Sequence, residues 1–322
     1  MARREQLAET GSYVAGSFAG EPYLVTRSES GLVAMSNVCR HKAMEIASAT
    51  GQCEHLVCPY HGWSYHLDGR LKSAPKVAGI RAFDRDNMRL PSFAVCEWGP
   101  WVFINTDASA EPLAGELDEL DGALTESGWD RLHYVASQRW NIQCNWKVYV
   151  DNYLDGGYHI PHMHPSLDAQ LDMASYRTEL FHRYSIQSSG AGAPGDPRTE
   201  VRADQRIGDG AIYAWLFPNF MINRYGPCMD SNWVIPLGPD RCQVIYEFYF
   251  EEAEGPAADE FIARSREQAD ITQREDIAIS ESVQLGLASS HYDQGRYAPR
   301  VEVGEHHFHQ LLHHAYREHL GR

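Results

Sequence analysis

Between Asn145 and Pro165 the chain reads NWKVYVDNYLDGGYHIPHMHP, and thirteen of those residues hold an amide, a carboxylate and three imidazoles: Asn152, Asp155, His159, His162 and His164. Burying so many polar groups without partners or work is costly. The set is therefore either a solvated helix end or a site that handles metals or protons. Asn152, Asp155 and His159 fall at i, i+3 and i+7, so a helical backbone places them on one face. Gly156-Gly157 then loosens the backbone, and Pro161 ends regular helix before His162 and His164.

A second group of chemistry-bearing residues lies upstream in two short loops, Cys39-Arg40-His41 and Cys58-Pro59-Tyr60-His61, with sixteen residues between them. Each loop offers one thiolate and one imidazole. Four such donors suit two irons bridged by sulfide, both histidines on one iron, which is the Rieske arrangement. Zinc in a Cys2His2 shell is the competing reading. Zinc sites usually pair like ligands, whereas each loop here mixes them, and that favours the iron–sulfur reading. Pro59, Tyr60, Gly62 and Trp63 suit a tight loop that shields a cluster, while Cys53, His55 and His66 lie outside the pattern and read as structural.

A further carboxylate stands out in a stretch that reads as one long helix over about 257–289. Ile262, Ala269, Asp276 and Val283 recur every seven residues, flanked by Ile279 and Leu287, so Asp276 interrupts an apolar stripe. Glu275 points with Gln268 and Ser282 to a more polar side. A carboxylate inside an apolar stripe must be paired or bind a metal, so Asp276 is the candidate; a salt bridge within the fold is the plainer alternative.

The elements that position these residues follow from pattern. Up to about residue 107 the chain reads as short strands and turns, with hairpins around Ser28–Gly31 and Asp68-Gly69 and a β-rich segment over 95–106. Over 108–130, Leu113, Leu117, Leu120 and Leu124 step at helical spacing among acidic residues: an acidic surface helix, or a docking face for a basic electron donor. From about Leu132 a strand (133–143), the helix after Asn145, a Gly/Pro/Ser loop (188–198, a surface connection or a lid) and strands over 212–223, 232–236 and 242–251 precede the long helix. Trp215, Phe217, Phe220, Tyr225 and Trp233 either pack the core or line a pocket, where aromatic faces suit quaternary ammonium groups. The terminal HHFHQLLHHAYREHL reads as a helix packed through Phe308, Leu311, Leu312 and Ala315. Strands followed by helices give an α+β fold.

Composition narrows the class. A chain of 322 residues allows about two domains. Its net charge of −16 argues against nucleic acid as a partner. No apolar run approaches the roughly 18 residues of a membrane span. Seven cysteines, at 39, 53, 58, 96, 144, 228 and 242, with no secretion signal visible, favour reduced thiols and a cytoplasmic home.

The pair C-x-H and C-x2-H, with CPYHGWSYHLDGRL around the second half, resembles the Rieske non-haem iron oxygenases of large-subunit (alpha) type. NWK-x3-DNYLDGGYH and QREDIAISESVQLGL are similar to the branch that includes choline and glycine-betaine monooxygenases. The resemblance covers nearly the whole chain. It implies an all-β Rieske domain over 1–110, whose [2Fe-2S] cluster is held by Cys39, His41, Cys58 and His61, and a helix-grip, START-like catalytic domain over 111–322. It also implies that His159 and His164, with four residues between them, join Asp276 in the two-histidine, one-carboxylate set that holds mononuclear Fe(II). His162 is then a residue that lines the pocket or stands behind the ligands, with a direct ligand role as the alternative, and Asn152 and Tyr158 orient the ligating imidazoles. In the family a carboxylate before the first histidine bridges the cluster of one subunit to the iron of the next. The commoner position, three residues before, is Gly156 here, and Asp155 lies four before, as in the choline-type branch. A reductase or ferredoxin donor, dioxygen, a small-molecule substrate and a homotrimer complete what the resemblance implies. The expected reaction is hydroxylation or oxidative demethylation of an alkylammonium compound, with an aromatic or alkaloid-like substrate as the alternative. A non-enzymatic Rieske electron carrier is the reading from another class, and three candidate iron ligands stand against it.

Overall fold

The computed structural model describes residues 2–113, 115–193, 196–198 and 206–321. It separates into two compact units, Met1–Glu116 and Leu117–Arg322.

The first unit is built of β-strands. Its larger sheet runs Ala2–Arg3, Trp101–Asn105, Ser92–Trp98, Gly31–Ser36, Glu21–Ser28, Ser12–Phe18, Thr50–Gln52, with antiparallel neighbours throughout. Both hairpins form where turn chemistry predicts them. Ser28 Oγ donates to the Gly31 carbonyl at 2.9 Å, and the Ser92–Trp98 and Trp101–Asn105 strands turn at Gly99-Pro100. A smaller sheet of Leu56–Val57, Ser64–Tyr65 and Leu71–Ser73 carries the second Cys/His loop. Its turn uses Gly69 at φ 83°, where a side chain is disfavoured, and Asp68 Oδ1 accepts from the Arg70 N–H at 3.0 Å. Leu24, Met35, Trp63, Tyr65 and Leu90 pack behind the two loops.

The second unit wraps one antiparallel sheet around helices. The strand order is His133–Ile142, Arg241–Phe250, Cys228–Gly238, Phe220–Arg224, Gly210–Leu216, Tyr184–Ala191, Leu171–Leu180. The helices are α1 (Asp118–Glu126), α2 (Trp146–Leu154), the short α3 (Ile160–Met163) and α4 (Pro165–Asp168), α5 (Pro256–Leu287) and α6 (Val303–Leu320). Leu117, Leu120 and Leu124 are buried while the acidic residues of α1 face solvent, the packed surface-helix arrangement. Helix α2 packs against α5 and α6, and Trp146 meets Phe308 of α6 edge-on at 5.8 Å between ring centroids. Phe308 and Leu312 are buried as the terminal-helix reading requires.

Two strand expectations need correction. The single strand predicted over 212–223 is two, Gly210–Leu216 and Phe220–Arg224, because Pro218 has no N–H for the ladder and the chain turns there. The loop predicted over 188–198 begins later, since Tyr184–Ala191 is paired along its length with Gly210–Leu216; residues 194–195 of that stretch lie outside the described residues. Among the described residues no helix is long and apolar enough to cross a membrane.

Candidate metal centres

In the second unit the polar cluster is assembled by a chain reversal. Asn145 caps α2, its Oδ1 accepting from the Lys147 N–H at 3.1 Å. The helix stops at Leu154, and Gly156 and Gly157 follow at φ +73° and +75°. Both need glycine: a Cβ on Gly156 would lie 2.1 Å from the Val301 carbonyl oxygen, and one on Gly157 2.9 Å from the Tyr176 ring. Asp155 closes the turn. Its Oδ1 accepts from the N–H groups of Gly157 (2.9 Å) and Tyr158 (3.1 Å), and its Oδ2 accepts from that of His159 (3.0 Å). Asn152, Asp155 and His159 therefore meet because the chain folds back, not because they share one helical face. Pro161 likewise opens α3 instead of ending a helix, since a proline in the first turn loses no hydrogen bond.

The turn brings three donors together. His159 Nε2 and His164 Nε2 are 3.0 Å apart, and Asp276 Oδ1 of α5 is 3.0 Å from His164 Nε2 and 3.7 Å from His159 Nε2. The opposite ring nitrogens are both held by carboxylates: Asp155 Oδ2 lies 2.5 Å from His159 Nδ1, and Glu275 Oε2 2.6 Å from His164 Nδ1. With each Nδ1–H donating to a carboxylate, both Nε2 lone pairs point at the same spot as Asp276. Two imidazole acceptors and a carboxylate facing one another repel unless a cation lies among them. The three residues fit a mononuclear metal. Burial disfavours charge on His164, but hydrogen bonds and charge from Asp276 and Glu275 outweigh it and raise its pKa, so the surroundings favour positive charge.

Asn152 Nδ2 donates to Asp276 Oδ1 at 2.6 Å, fixing the carboxylate. Glu275 does not point away to an idle polar side. Side chains one residue apart on a helix diverge by about 100°, and here Glu275 and Asp276 reach opposite nitrogens of the same imidazole. His162 and Tyr158 are exposed at the rim of α3, so neither lines the cavity nor orients a ligand. Beside the three donors opens a cavity walled by Tyr149, Tyr153, Tyr176, Tyr213, Tyr225 and Tyr246, with Gln187, Asn223 and Asn232 among them. Of the five aromatics proposed for a pocket, Tyr225 alone lines it. Trp215 is fully buried against Phe308, 5.3 Å between centroids, and Phe220 is core. Tyr149 and Tyr153 stand at i and i+4 beside Asn152 on α2, the one local signal that could have announced the wall.

In the first unit Cys39 and Cys58 are each 2 % exposed and unpaired by any disulfide. His41 and His61 face solvent, their ring centroids 4.5 Å apart, and His41 stacks on Trp63 at 5.0 Å. The Cys58 amide donates to the Trp63 carbonyl (2.8 Å) and the Gly62 amide to that of Cys58 (3.1 Å), closing the tight loop. Two buried thiols and two outer imidazoles suit a two-iron cluster whose outer iron carries both histidines. Donor atoms within 4.8 Å of one another occur, among the described residues, in His159/His164/Asp276 and in Asp151/Glu305/His309, and not in this set.

An all-β unit whose two loops bring Cys39, His41, Cys58 and His61 together, followed by a helix-grip unit in which His159, His164 and Asp276 face one another, suits a two-centre oxygenase. A family model described as the Rieske [2Fe-2S] domain matches residues 1–84, and the ring hydroxylating alpha subunit catalytic domain matches residues 129–318. The chain belongs to the Rieske non-haem iron oxygenases, as an alpha subunit. It is 43% identical over 324 residues to the chloroplastic choline monooxygenase of Arabidopsis thaliana, covering 96% of this chain and 75% of that one. It is 29% identical over 327 residues to the carnitine monooxygenase oxygenase subunit of Escherichia coli (strain K12), covering 97% and 85%. A solved quaternary ammonium Rieske monooxygenase, studied for carnitine oxidation and inter-subunit electron transfer, matches with a TM-score of 0.83 at 26% identity, over 97% of this chain and 87% of that one. The chain is thus an oxidoreductase that carries a Rieske [2Fe-2S] cluster and a mononuclear iron, and works with an electron-transfer partner on a small substrate.

Proposed function

We propose that the chain is the terminal monooxygenase for a small quaternary ammonium compound, with His159, His164 and Asp276 as iron ligands and Cys39, His41, Cys58 and His61 as cluster ligands. The observation that carries the substrate reading is the tyrosine-walled cavity opening at the three donors. A quaternary nitrogen has no N–H to donate; the faces of aromatic rings attract it through their quadrupoles, at about 0.5–2 kcal/mol each. The similarity to choline and carnitine monooxygenases supports the same reading.

When bound, the cluster supplies single electrons and the iron supplies dioxygen activation. The chain's own residues do the rest. Asp155 and Glu275 hold the Nδ1 protons of His159 and His164, which keeps both Nε2 atoms turned inward. Asn152 fixes Asp276, and the tyrosine wall replaces water around the cation. Asp155, already hydrogen-bonded to His159, is the residue we assign to carry electrons in from a neighbouring subunit's cluster. That role fits a homotrimer, to be checked by mass in solution. We place the protein in the cytoplasm, with a reductase or ferredoxin as its donor.

The test is coupled turnover. With a reductase, choline, γ-butyrobetaine and L-carnitine are supplied in turn while oxygen uptake and product are followed. At least one should give stoichiometric oxygen uptake with an aldehyde or demethylated amine. Uptake unchanged by all three overturns the proposal.

A further inference from the structure

Behind the cavity wall lies a carboxylate that no cation pairs with. Asp230, in the strand Cys228–Gly238, is 5% exposed and stands directly opposite Asn223. Asn223 and Asn232 each donate an Nδ2–H to its Oδ2, at 2.6 and 3.1 Å, and both of these amides line the cavity. Asp230 is therefore one hydrogen bond behind the surface that a ligand meets. Among the described residues no ion pair reaches it. Arg206 is the buried cation of this region, but its guanidinium is engaged elsewhere. It lies over the Tyr225 ring, 4.2 Å from the centroid, and its Nη1 donates to Gln170 Oε1 at 3.3 Å. Burial pushes the Asp230 carboxyl up to about 6, and of the groups that pull the other way Asn223 outweighs Arg206.

An enclosed carboxylate is costly unless charge of the opposite sign comes near it. Above about pH 6 this one is ionised, so the wall in front of it is negative and short of a partner. A cation entering the cavity supplies that partner. We propose that Asp230 is the fixed anion that selects for positive charge in the cavity, acting through the layer of Asn223 and Asn232 and not by contact. The inference rests on the quaternary ammonium reading of the cavity and adds the residue that tells a cation from a neutral molecule of the same shape. The tyrosine faces cannot make that distinction alone, because they also pack against an uncharged isostere. The field of a buried carboxylate crosses a layer of side chains with little loss, where water would screen it. A quaternary nitrogen has no hydrogen bond to give, so it gains from that field without touching the oxygens.

Calorimetry on the holoenzyme tests this with two ligands of one shape: choline, and 3,3-dimethylbutan-1-ol, in which carbon replaces the nitrogen. At pH 7.5, Asp230→Asn should weaken choline about tenfold and leave the alcohol within about twofold, with the cluster's visible spectrum unchanged. A merely structural role would weaken both ligands alike. The wild type gives a second reading that needs no variant. A cation near the carboxyl favours its ionised form, so choline binding at pH 6 should release up to about half a proton, seen as a heat that varies with the ionisation enthalpy of the buffer. The alcohol should release none, and Asp230→Asn should abolish the release. The charged and titratable groups that face Asp230 are Arg206, Tyr153, Tyr213, Tyr225, Cys228 and Tyr246. Burial holds the tyrosines above their ordinary range and the thiol at about 11, and Arg206 stays charged, so none of these gives up a proton at pH 6. Equal weakening of both ligands in Asp230→Asn, or choline binding to the wild type without proton release, overturns the inference and leaves the quaternary ammonium reading intact. Failure of choline to bind the wild type overturns both.

Discussion

Asp230 is the residue whose surroundings make the sharpest demand. It is wholly enclosed beneath Asn223 and Asn232, and burial lifts its carboxyl to about 6 although Asn223, Arg206 and Asn232 pull the other way. In an unfolded chain the same group titrates near 3.8. A folded-state pKa above the unfolded one means that the neutral form is favoured by folding. That stabilisation is complete below about 4 and is lost as pH rises through about 6. Asp230→Asn stays neutral and escapes the loss. Between pH 4 and pH 7 the melting temperature of the variant should therefore gain on that of the wild type by roughly 5 °C in calorimetry. A difference that stays flat with pH contradicts the buried, charge-averse carboxylate. The proposed iron site follows the same logic of partners: Asp276 and Glu275 are adjacent in sequence and reach opposite nitrogens of His164.

At the scale of elements, the reversal between α2 and α3 determines the site. Gly156 sits at φ +73° with the Val301 carbonyl where a Cβ would go, so Gly156→Ala combines backbone strain with a backbone collision. It should cost about 2 kcal/mol or more and disturb Asp155 and His159 together. The variant should retain its cluster spectrum and lose bound mononuclear iron, as read by visible absorbance and metal analysis; full iron occupancy would contradict the role given to the turn. This element also marks the limit of what the sequence discloses. The double glycine announces a loosened backbone, but the sign of φ is fixed by the tertiary neighbours Val301 and Tyr176, hence the mistaken single helical face. Helix α5 was legible as one long helix, but the expected apolar stripe is buried only at Ile262 and Ala269, while Val283 and Leu287 are exposed and Gln268, Gln273 and Ser280 are buried in their place. The break at Pro218 was obscured by apolar residues on both sides. The tyrosine wall was legible only in part: Tyr149 and Tyr153 stand four apart on α2 and Tyr225 is among the expected pocket aromatics, but Tyr176, Tyr213 and Tyr246 come from separate strands that no local period joins.

At the scale of the whole molecule, the chain is an arrangement of two centres with different legibility. Cys39, His41, Cys58 and His61 lie in two tight loops, so local spacing alone points to the cluster site proposed there. The proposed iron site joins His164 to a carboxylate 112 residues away, and only the reading of α5 and the family resemblance pointed to Asp276. Both centres are required for the proposed chemistry, since a cluster delivers one electron at a time and oxygen insertion consumes two. The central claim, a cluster plus a separate iron held by His159, His164 and Asp276, is tested most directly by counting metal. Iron, zinc and acid-labile sulfide are measured in anaerobically purified wild type and Asp276→Ala. The wild type should hold about three irons and two sulfides per chain, and the variant about two irons with unchanged sulfide and visible spectrum. Zinc in place of iron, or an iron count that Asp276→Ala leaves untouched, would contradict it.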